Sequence, residues 1–134
     1  MKRIAIVGYA QHKILADAKA LNEVELIMPV VHKVFNDLGI SQDDIGFTCS
    51  GSCDYLQGAA FAFVEGLSAI QTNPPIKESH VEMDAAWAMY ESMLKIKMGD
   101  ADTALIYGFG KSSPGNLDSI ISCLLYTSPS PRDN

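Results

Sequence analysis

Short apolar runs alternate along this chain with stretches in which apolar residues recur every three to four positions. The runs are rich in β-branched residues and predict buried strands, whereas the longer spacing predicts amphipathic helices. Such alternation is typical of a layered α/β domain with a mostly parallel sheet. The predicted strands cover 3–7, 45–49 and 103–107, and the predicted helices cover 22–38, 54–70 and 84–98.

The first helix has clear signals at both ends. Asn22 and Glu25 have the spacing of a capping box, and Gly39 follows the last apolar position as a C-terminal cap. Pro29 lies inside the pattern and removes one helical hydrogen bond, which predicts either a kink or a helix that starts near Met28. One face carries the apolar residues Val24, Ile27, Val31, Val34, Phe35 and Leu38.

The helix at 84–98 has a different pattern. Its first two turns are apolar on nearly every side, and its last turns are amphipathic. A helix that is apolar all round is usually buried. We therefore expect a buried helix between two layers, with Trp87, Met89 and Met93 in the core.

Composition and charge exclude several function classes. The chain has 134 residues, of which 48% are hydrophobic and 19% charged, as in a globular soluble protein. A net charge of -6 and only ten Lys and Arg argue against nucleic acid as a partner. No apolar run is long enough to span a bilayer, and the N-terminus has the pattern of a strand rather than of a signal peptide. We expect a cytoplasmic protein.

The C-terminal segment does not continue the α/β pattern. Residues 123–133 resemble the translation of a sequencing adapter, so residues 1–122 are treated as the domain and 123–134 as a non-native tail. The alternative is a natural flexible tail rich in Ser and Pro. Both interpretations predict disorder.

Four segments, in this order, resemble the thiolase superfamily, and most closely its lipid-transfer or sterol-carrier-protein-X type branch. They are Arg3-Ile-Ala-Ile-Val-Gly8, Cys49-Ser-Gly-Ser-Cys-Asp-Tyr-Leu56, Glu78-Ser-His-Val-Glu-Met-Asp84 and the stretch from Gly99 to Ser113. The resemblance implies the thiolase-like fold and a coenzyme A thioester as substrate, with no covalently bound cofactor. Complete members of the family are longer, so it also implies that this chain corresponds to the N-terminal half and is inactive alone.

The resemblance also implies a nucleophilic cysteine where a buried helix begins, a fixed distance before a Gly-Asp-Ala turn. Counting back from Gly99 reaches Glu82, which is a glutamate. Attack by a carboxylate on an acyl thioester gives a more reactive anhydride, so Glu82 cannot replace a thiolate in acyl transfer. The resemblance therefore implies the fold more directly than the reaction.

His80, Glu82 and Asp84 form a polar cluster before this helix. One interpretation is a general acid/base group, with a buried Glu82 held near His80. The other is a helix cap, in which Asp84 or Glu82 accepts backbone N–H groups while His80 lies in an extended segment. The sequence favours the cap.

Cys53 is a second candidate nucleophile, because Ser50-Gly-Ser-Cys53-Asp places it between a strand and a helix N-terminus, where a thiolate is favoured. The alternative is a small inert residue beside the pocket. Cys49 and Cys53 are too few for a four-ligand zinc site, so no metal is expected.

Lys111 and Ser112 follow the last predicted strand, where ligands of open α/β sheets gather. They do not form a phosphate-binding loop, because Leu105 stands where that motif needs glycine. By resemblance they border the pocket and contact an acyl group or coenzyme A; the alternative is a solvated turn.

Three functions remain open. The first is a thiolase-like acyl-CoA C-acyltransferase of lipid or sterol metabolism. The second is a carbon-carbon lyase of the same fold, a retro-aldolase of steroid or acyl-CoA side chains, which the resemblance associates with a small OB-fold and zinc-ribbon partner. The third is a non-catalytic lipid-binding subunit. The resemblance further implies a homodimer, with 76–81 as the interface strand.

Overall fold

The computed structural model describes residues 3–18, 20–53, 63–70, 77–110 and 118. Helix α1 is Glu23–Leu38. The Asn22 side chain accepts the backbone N–H of Glu25, and the Glu25 carboxylate accepts the N–H of Asn22, both at 2.8 Å. The predicted capping box is therefore confirmed, as is the C-terminal cap at Gly39.

Pro29 does not delay the start of this helix. The sequence predicted a kink or a start near Met28, and the second option is wrong because α1 begins at Glu23 and runs through Pro29. The capping box fixes the first turn, and proline removes only one backbone donor. Ile27 and Val31 are buried on the face predicted to be apolar.

In the described part of the chain, three parallel strands form a sheet in the order β2-β1-β3. They are β1 (Phe47–Ser52), β2 (Glu78–Glu82) and β3 (Ala104–Gly108). All six residues of β1 are buried, as expected for a central strand covered on both faces. Strands β1 and β3 confirm the predicted runs, with β1 beginning two residues later than predicted.

Helices cover both faces of the sheet. On one face, α1 and α2 (Phe63–Ala69) pack over Leu105 and Tyr107. On the other, α3 (Ala85–Met98) packs over Phe47 and Cys49. The architecture is a mixed α/β arrangement with a parallel sheet between helices. The predicted helix at 54–70 agrees with α2 over 63–69, and its first part lies outside the described residues.

Small residues let α3 lie directly against the sheet. A Cβ on Gly51 would overlap the backbone of Asp84 and would lie 2.7 Å from the Ala85 nitrogen, and one on Gly108 would lie 2.6 Å from the Ala85 Cβ. Glycine at both positions is therefore required for this close approach.

The expected burial of α3 on all sides is wrong. Within α3 only Ala88 and Ser92 are buried, and Trp87 is 50% exposed. The helix contacts the sheet through one narrow stripe of small residues, and no described element covers its outer side. That side carries the exposed residues Trp87, Tyr90, Leu94 and Met98. Met89, also expected in the core, is exposed beside the buried stripe, and Met93 is half-buried.

The predicted first strand, Arg3 to Val7, is also wrong. The segment has no ladder partner among the described residues, and Ile6 and Val7 are each 76% exposed. Gly8 lies against the side chains of Val34 and Leu38 on α1. β-Branched residues favour extended backbone, but a strand also needs a neighbouring strand.

Candidate active site at the carboxyl end of the sheet

The candidate site lies where β1 and β2 end. Ser52, the last residue of β1, is paired in register with Glu82, the last residue of β2, and Cys53 follows directly. Parallel strands end at the same edge, so Glu82 and Cys53 lie at one end of the sheet. This is the edge at which open α/β sheets bind ligands.

Asp84, and not Glu82, caps helix α3. The Asp84 carboxylate accepts the backbone N–H groups of Ala86 at 2.9 Å and Trp87 at 3.2 Å. The predicted cap is confirmed for Asp84, and His80 lies in extended backbone as that interpretation required. The expectation that Glu82 opens the helix is wrong, since Glu82 ends β2 two residues earlier.

Glu82 instead belongs to a hydrogen-bonded row of side chains. The Ser50 hydroxyl and the His80 Nδ1 are 2.8 Å apart, and the His80 Nε2 is 3.3 Å from the Glu82 carboxylate. Register explains the row, because Ser50 pairs with His80 across β1 and β2, while His80 and Glu82 are two residues apart and share a face. The structure therefore also joins His80 and Glu82 as the acid/base interpretation expected.

Exposure increases steadily along this row. Ser50 is 2% exposed, the His80 side chain 14% and the Glu82 side chain 51%. The expectation of a buried Glu82 is wrong, because it sits at the end of a strand on the edge of the described sheet. An exposed carboxylate backed by a nearly buried imidazole is suited to exchange protons with a ligand.

Tyr107 lies on the other side of Ser50, paired with it across β1 and β3. Burial raises the pKa of the Tyr107 phenol to about 12, with smaller increases from Glu78 and Cys49, and a weak interaction with the Ser50 hydroxyl opposes the rise. Among the described residues its hydroxyl has no hydrogen-bond partner of good geometry. Tyr107 therefore stays a neutral phenol beside Ser50.

Ser50 and Tyr107 were missed by sequence reasoning. The available signal was the polar Ser50 directly after the strand predicted at 45–49, since a longer buried strand would include its hydroxyl and buried hydroxyl groups usually have a partner. The partner itself is 30 positions away along the chain. Only the strand register brings the two side chains together.

The two described cysteines lie in different surroundings. Cys49 is fully buried and belongs to the cluster beneath α3. Burial, with a smaller contribution from the nearby Glu91, raises its pKa to about 11, although Ser92 and Ser79 oppose the rise. Cys53 is partly exposed at the candidate site, and both thiols are free. Cys49 is therefore excluded as a nucleophile at neutral pH, and Cys53 stays a candidate.

We expect alkylation to separate these thiols, in a chain carrying Cys123→Ser to remove the third cysteine. Iodoacetamide at pH 8 labels Cys53 within minutes and leaves Cys49 unlabelled, because a thiol needs both access and ionisation to react. Intact-mass analysis against time checks this, with Cys53→Ser as the control that abolishes labelling. Rapid labelling of Cys49 in folded protein would contradict its burial.

Lys111 and Ser112 lie outside the described residues, as does the segment 119–134. No cluster of three or more His, Cys, Asp or Glu side chains suited to a metal occurs in the described part of the chain. None of the described helices is long and apolar enough to cross a membrane.

A cleft of about 470 Å³ lies at the opposite end of the sheet, lined by Phe47, Lys77, Glu78, Lys95, Asp100 and Ala101. Its charged groups already interact with one another. Lys77 donates to the Asp100 carbonyl at 2.7 Å, and Lys95 lies 3.5 Å from the Asp100 carboxylate and 5.8 Å from the Phe47 ring centre. These contacts join α3 to the start of the sheet and account for the lysines structurally.

No protein family, curated protein or solved structure matches this chain.

Proposed function

We propose that this chain is the N-terminal half of a thiolase-like protein that acts on acyl-CoA thioesters, and that its reaction is acid/base cleavage of a carbon-carbon bond. The row from Ser50 through His80 to Glu82 carries the proposal. In support, the four resembling segments occur in family order, and a parallel sheet between helices is compatible with that fold.

Acid/base chemistry fits Glu82 better than nucleophilic chemistry does. In a retro-aldol step, a base accepts the proton of the 3-hydroxyl group of a 3-hydroxyacyl-CoA. The C2–C3 bond breaks, the C3 oxygen forms a carbonyl, and the electron pair goes to C2 as the thioester enolate. Protonation of C2 gives a shortened acyl-CoA. Glu82 accepts the first proton, while His80 stabilises the carboxylate by donating a hydrogen bond.

Acyl transfer through Cys53 is the second candidate. Its support is the position of Cys53, partly exposed and directly after β1 at the same sheet edge as Glu82. In this mechanism the thiolate attacks the thioester carbonyl, coenzyme A leaves as its thiol after protonation, and the acyl group stays on Cys53. His80 and Glu82 then supply the proton instead of removing one.

The proposal extends to location and partners. In line with the family resemblance, the protein is cytoplasmic, forms a dimer and binds a partner that has an OB-fold and a zinc ribbon. β2 supports the dimer part, because it lies at an edge of the described sheet and overlaps the proposed interface segment 76–81. An edge strand presents backbone groups that a second strand can pair with.

The test compares two reactions of the full-length protein, expressed from the complete gene. One assay gives it a 3-hydroxyacyl-CoA with a tertiary hydroxyl group and follows the ketone and the shortened acyl-CoA by mass spectrometry. The other gives it a 3-ketoacyl-CoA with free coenzyme A. We expect cleavage in the first assay only.

Each other outcome has a distinct meaning. Thiolysis in the second assay that is lost in Cys53→Ser contradicts the lyase and supports acyl transfer. Folded protein that binds acyl-CoA by calorimetry but is inactive in both assays supports the non-catalytic lipid-binding subunit. Protein that does not bind acyl-CoA at all contradicts every function proposed from the resemblance.

A further inference from the structure

The hydrogen bonds of His80 determine where its ring proton lies. At neutral pH an ionised carboxylate accepts hydrogen bonds and cannot donate them. The His80 nitrogen that faces Glu82, Nε2, must then carry the proton. In a neutral imidazole the other nitrogen, Nδ1, is an acceptor, so the Ser50 hydroxyl donates to it across 2.8 Å.

We propose that Ser50 is a positioning residue that holds the His80 imidazole in the Nε2–H tautomer and points this proton at Glu82. The inference rests on the proposed function only for its effect on catalysis, since the tautomer is a property of the free protein.

Ser50 is well placed for this role because its own position is fixed. It lies on the central strand, paired with His80 on one side and Tyr107 on the other, and only 2% of its surface is exposed. Its Oγ therefore has little freedom to turn away from Nδ1. Other titratable groups on this face of the three strands are Glu78, Glu82 and Tyr107.

Removal of the hydroxyl leaves Nδ1 without that donor in a nearly buried place. A buried polar atom that loses its partner is costly, so the ring is expected to rotate or to change tautomer. Either change removes the hydrogen bond that Nε2 donates to Glu82. Threonine keeps a hydroxyl at the same carbon and is expected to preserve the arrangement.

The test is nitrogen NMR of the full chain, labelled with ¹⁵N-histidine, at a pH of about 8, where a reference imidazole is neutral. Protonated and unprotonated ring nitrogens have well separated shifts. The chain has three histidines, and His80→Gln identifies the His80 signals by their loss. We expect one dominant tautomer with the proton on Nε2, a mixture in Ser50→Ala, and recovery in Ser50→Thr.

Ser92→Ala is the matched control, because Ser92 is an equally buried serine on the other face of the sheet and should leave the His80 signals unchanged. Circular dichroism confirms folding, and Ser50→Gly, which also lacks the hydroxyl, replaces Ser50→Ala should the latter not fold. Three results overturn the inference: a wild-type Nδ1–H tautomer, a ring protonated on both nitrogens, or an unchanged tautomer in Ser50→Ala.

Kinetics separate this inference from the proposed function. In the full-length protein we expect Ser50→Ala to lower kcat for carbon-carbon cleavage about tenfold or more without changing KM, and Ser50→Thr to restore it. No cleavage by any variant, with the tautomer as expected, contradicts the proposed function and leaves the role of Ser50 intact. Cleavage with an unaffected Ser50→Ala rate contradicts the role of Ser50 alone.

Discussion

We expect Glu82→Gln to lower kcat for the proposed carbon-carbon cleavage by the full-length protein about 10²- to 10⁴-fold, the usual contribution of a general base. Glutamine has nearly the same shape, and its amide oxygen can still accept the hydrogen bond from His80, so the row of side chains persists. What is lost is the capacity to take a proton at neutral pH. Steady-state release of the ketone measures the effect, with KM expected to change little.

Glu78→Gln is the matched control for this variant. Glu78 is the first residue of β2, has its side chain on the same face as Glu82, and is exposed at the opposite end of the strand. It should retain wild-type activity because it is remote from the carboxyl edge. Equal losses in both variants would contradict a specific role for Glu82 and indicate a general effect of charge on β2.

Gly51→Ala destabilises the domain by about 3 kcal/mol or more, at or above the upper end for overpacking in a core. The new Cβ overlaps the backbone of Asp84, and backbone atoms at a helix start cannot turn aside as a flexible side chain does. Either α3 or β1 must move. Urea unfolding of the purified chain, followed by circular dichroism, gives the change in free energy of unfolding.

Gly46→Ala is the comparison, because it lies just before β1 and its Cβ would come no closer than 3.4 Å to any neighbour. We expect a change below about 1 kcal/mol there, typical of a substitution without a severe clash. Similar midpoints for Gly51→Ala and wild type would mean that α3 does not sit on Gly51 in solution. A shift of α3 would also move Asp84, two residues beyond Glu82, and so disturb the candidate site.

The parts of the fold that the sequence predicted depend on local interactions. The Asn22 and Glu25 capping box and the cap at Gly39 each involve residues within one or two turns of a helix end. Their spacing is visible in the sequence, and the structure confirms this helix. β3 was predicted equally well, because a short apolar run after a helix cap has few alternatives.

The parts that the sequence did not predict depend on neighbours far along the chain. The Arg3 to Val7 segment has the composition of a strand, but composition does not supply the strand that it would pair with. Likewise, Trp87 and Met89 have the pattern of buried residues, yet burial needs an element on the outer side of α3. Both errors arise because the propensity of a segment for a strand or for the core does not show whether a neighbouring element is present to pair with it or to cover it.

For the candidate site, a helix start expected two residues too early changed the role that was assigned to Glu82. If Glu82 stood at a helix start, capping would explain its charge. The structure instead gives the capping role to Asp84, and Glu82 lies on the strand with His80. The family spacing placed Glu82 at a helix start, which is wrong, and the role of Glu82 in a reaction stays a prediction. His80 and Glu82 were recognisable as a pair, but their link to Ser50 follows only from the register of β1 and β2.

The central position of β1 has a consequence for how the chain folds. β1 is the first strand in sequence and the middle strand in space, so its two ladders form with residues 78–82 and 104–108, which are synthesised later. Pairing between distant segments is slow because a long loop must close first. On the ribosome, β1 therefore emerges with both edges open, and although one edge can pair once β2 appears, the other stays open until β3 appears. This interval is when the nascent chain is most exposed to mispairing with other chains, and when a chaperone that covers residues 47–52 would improve its yield most.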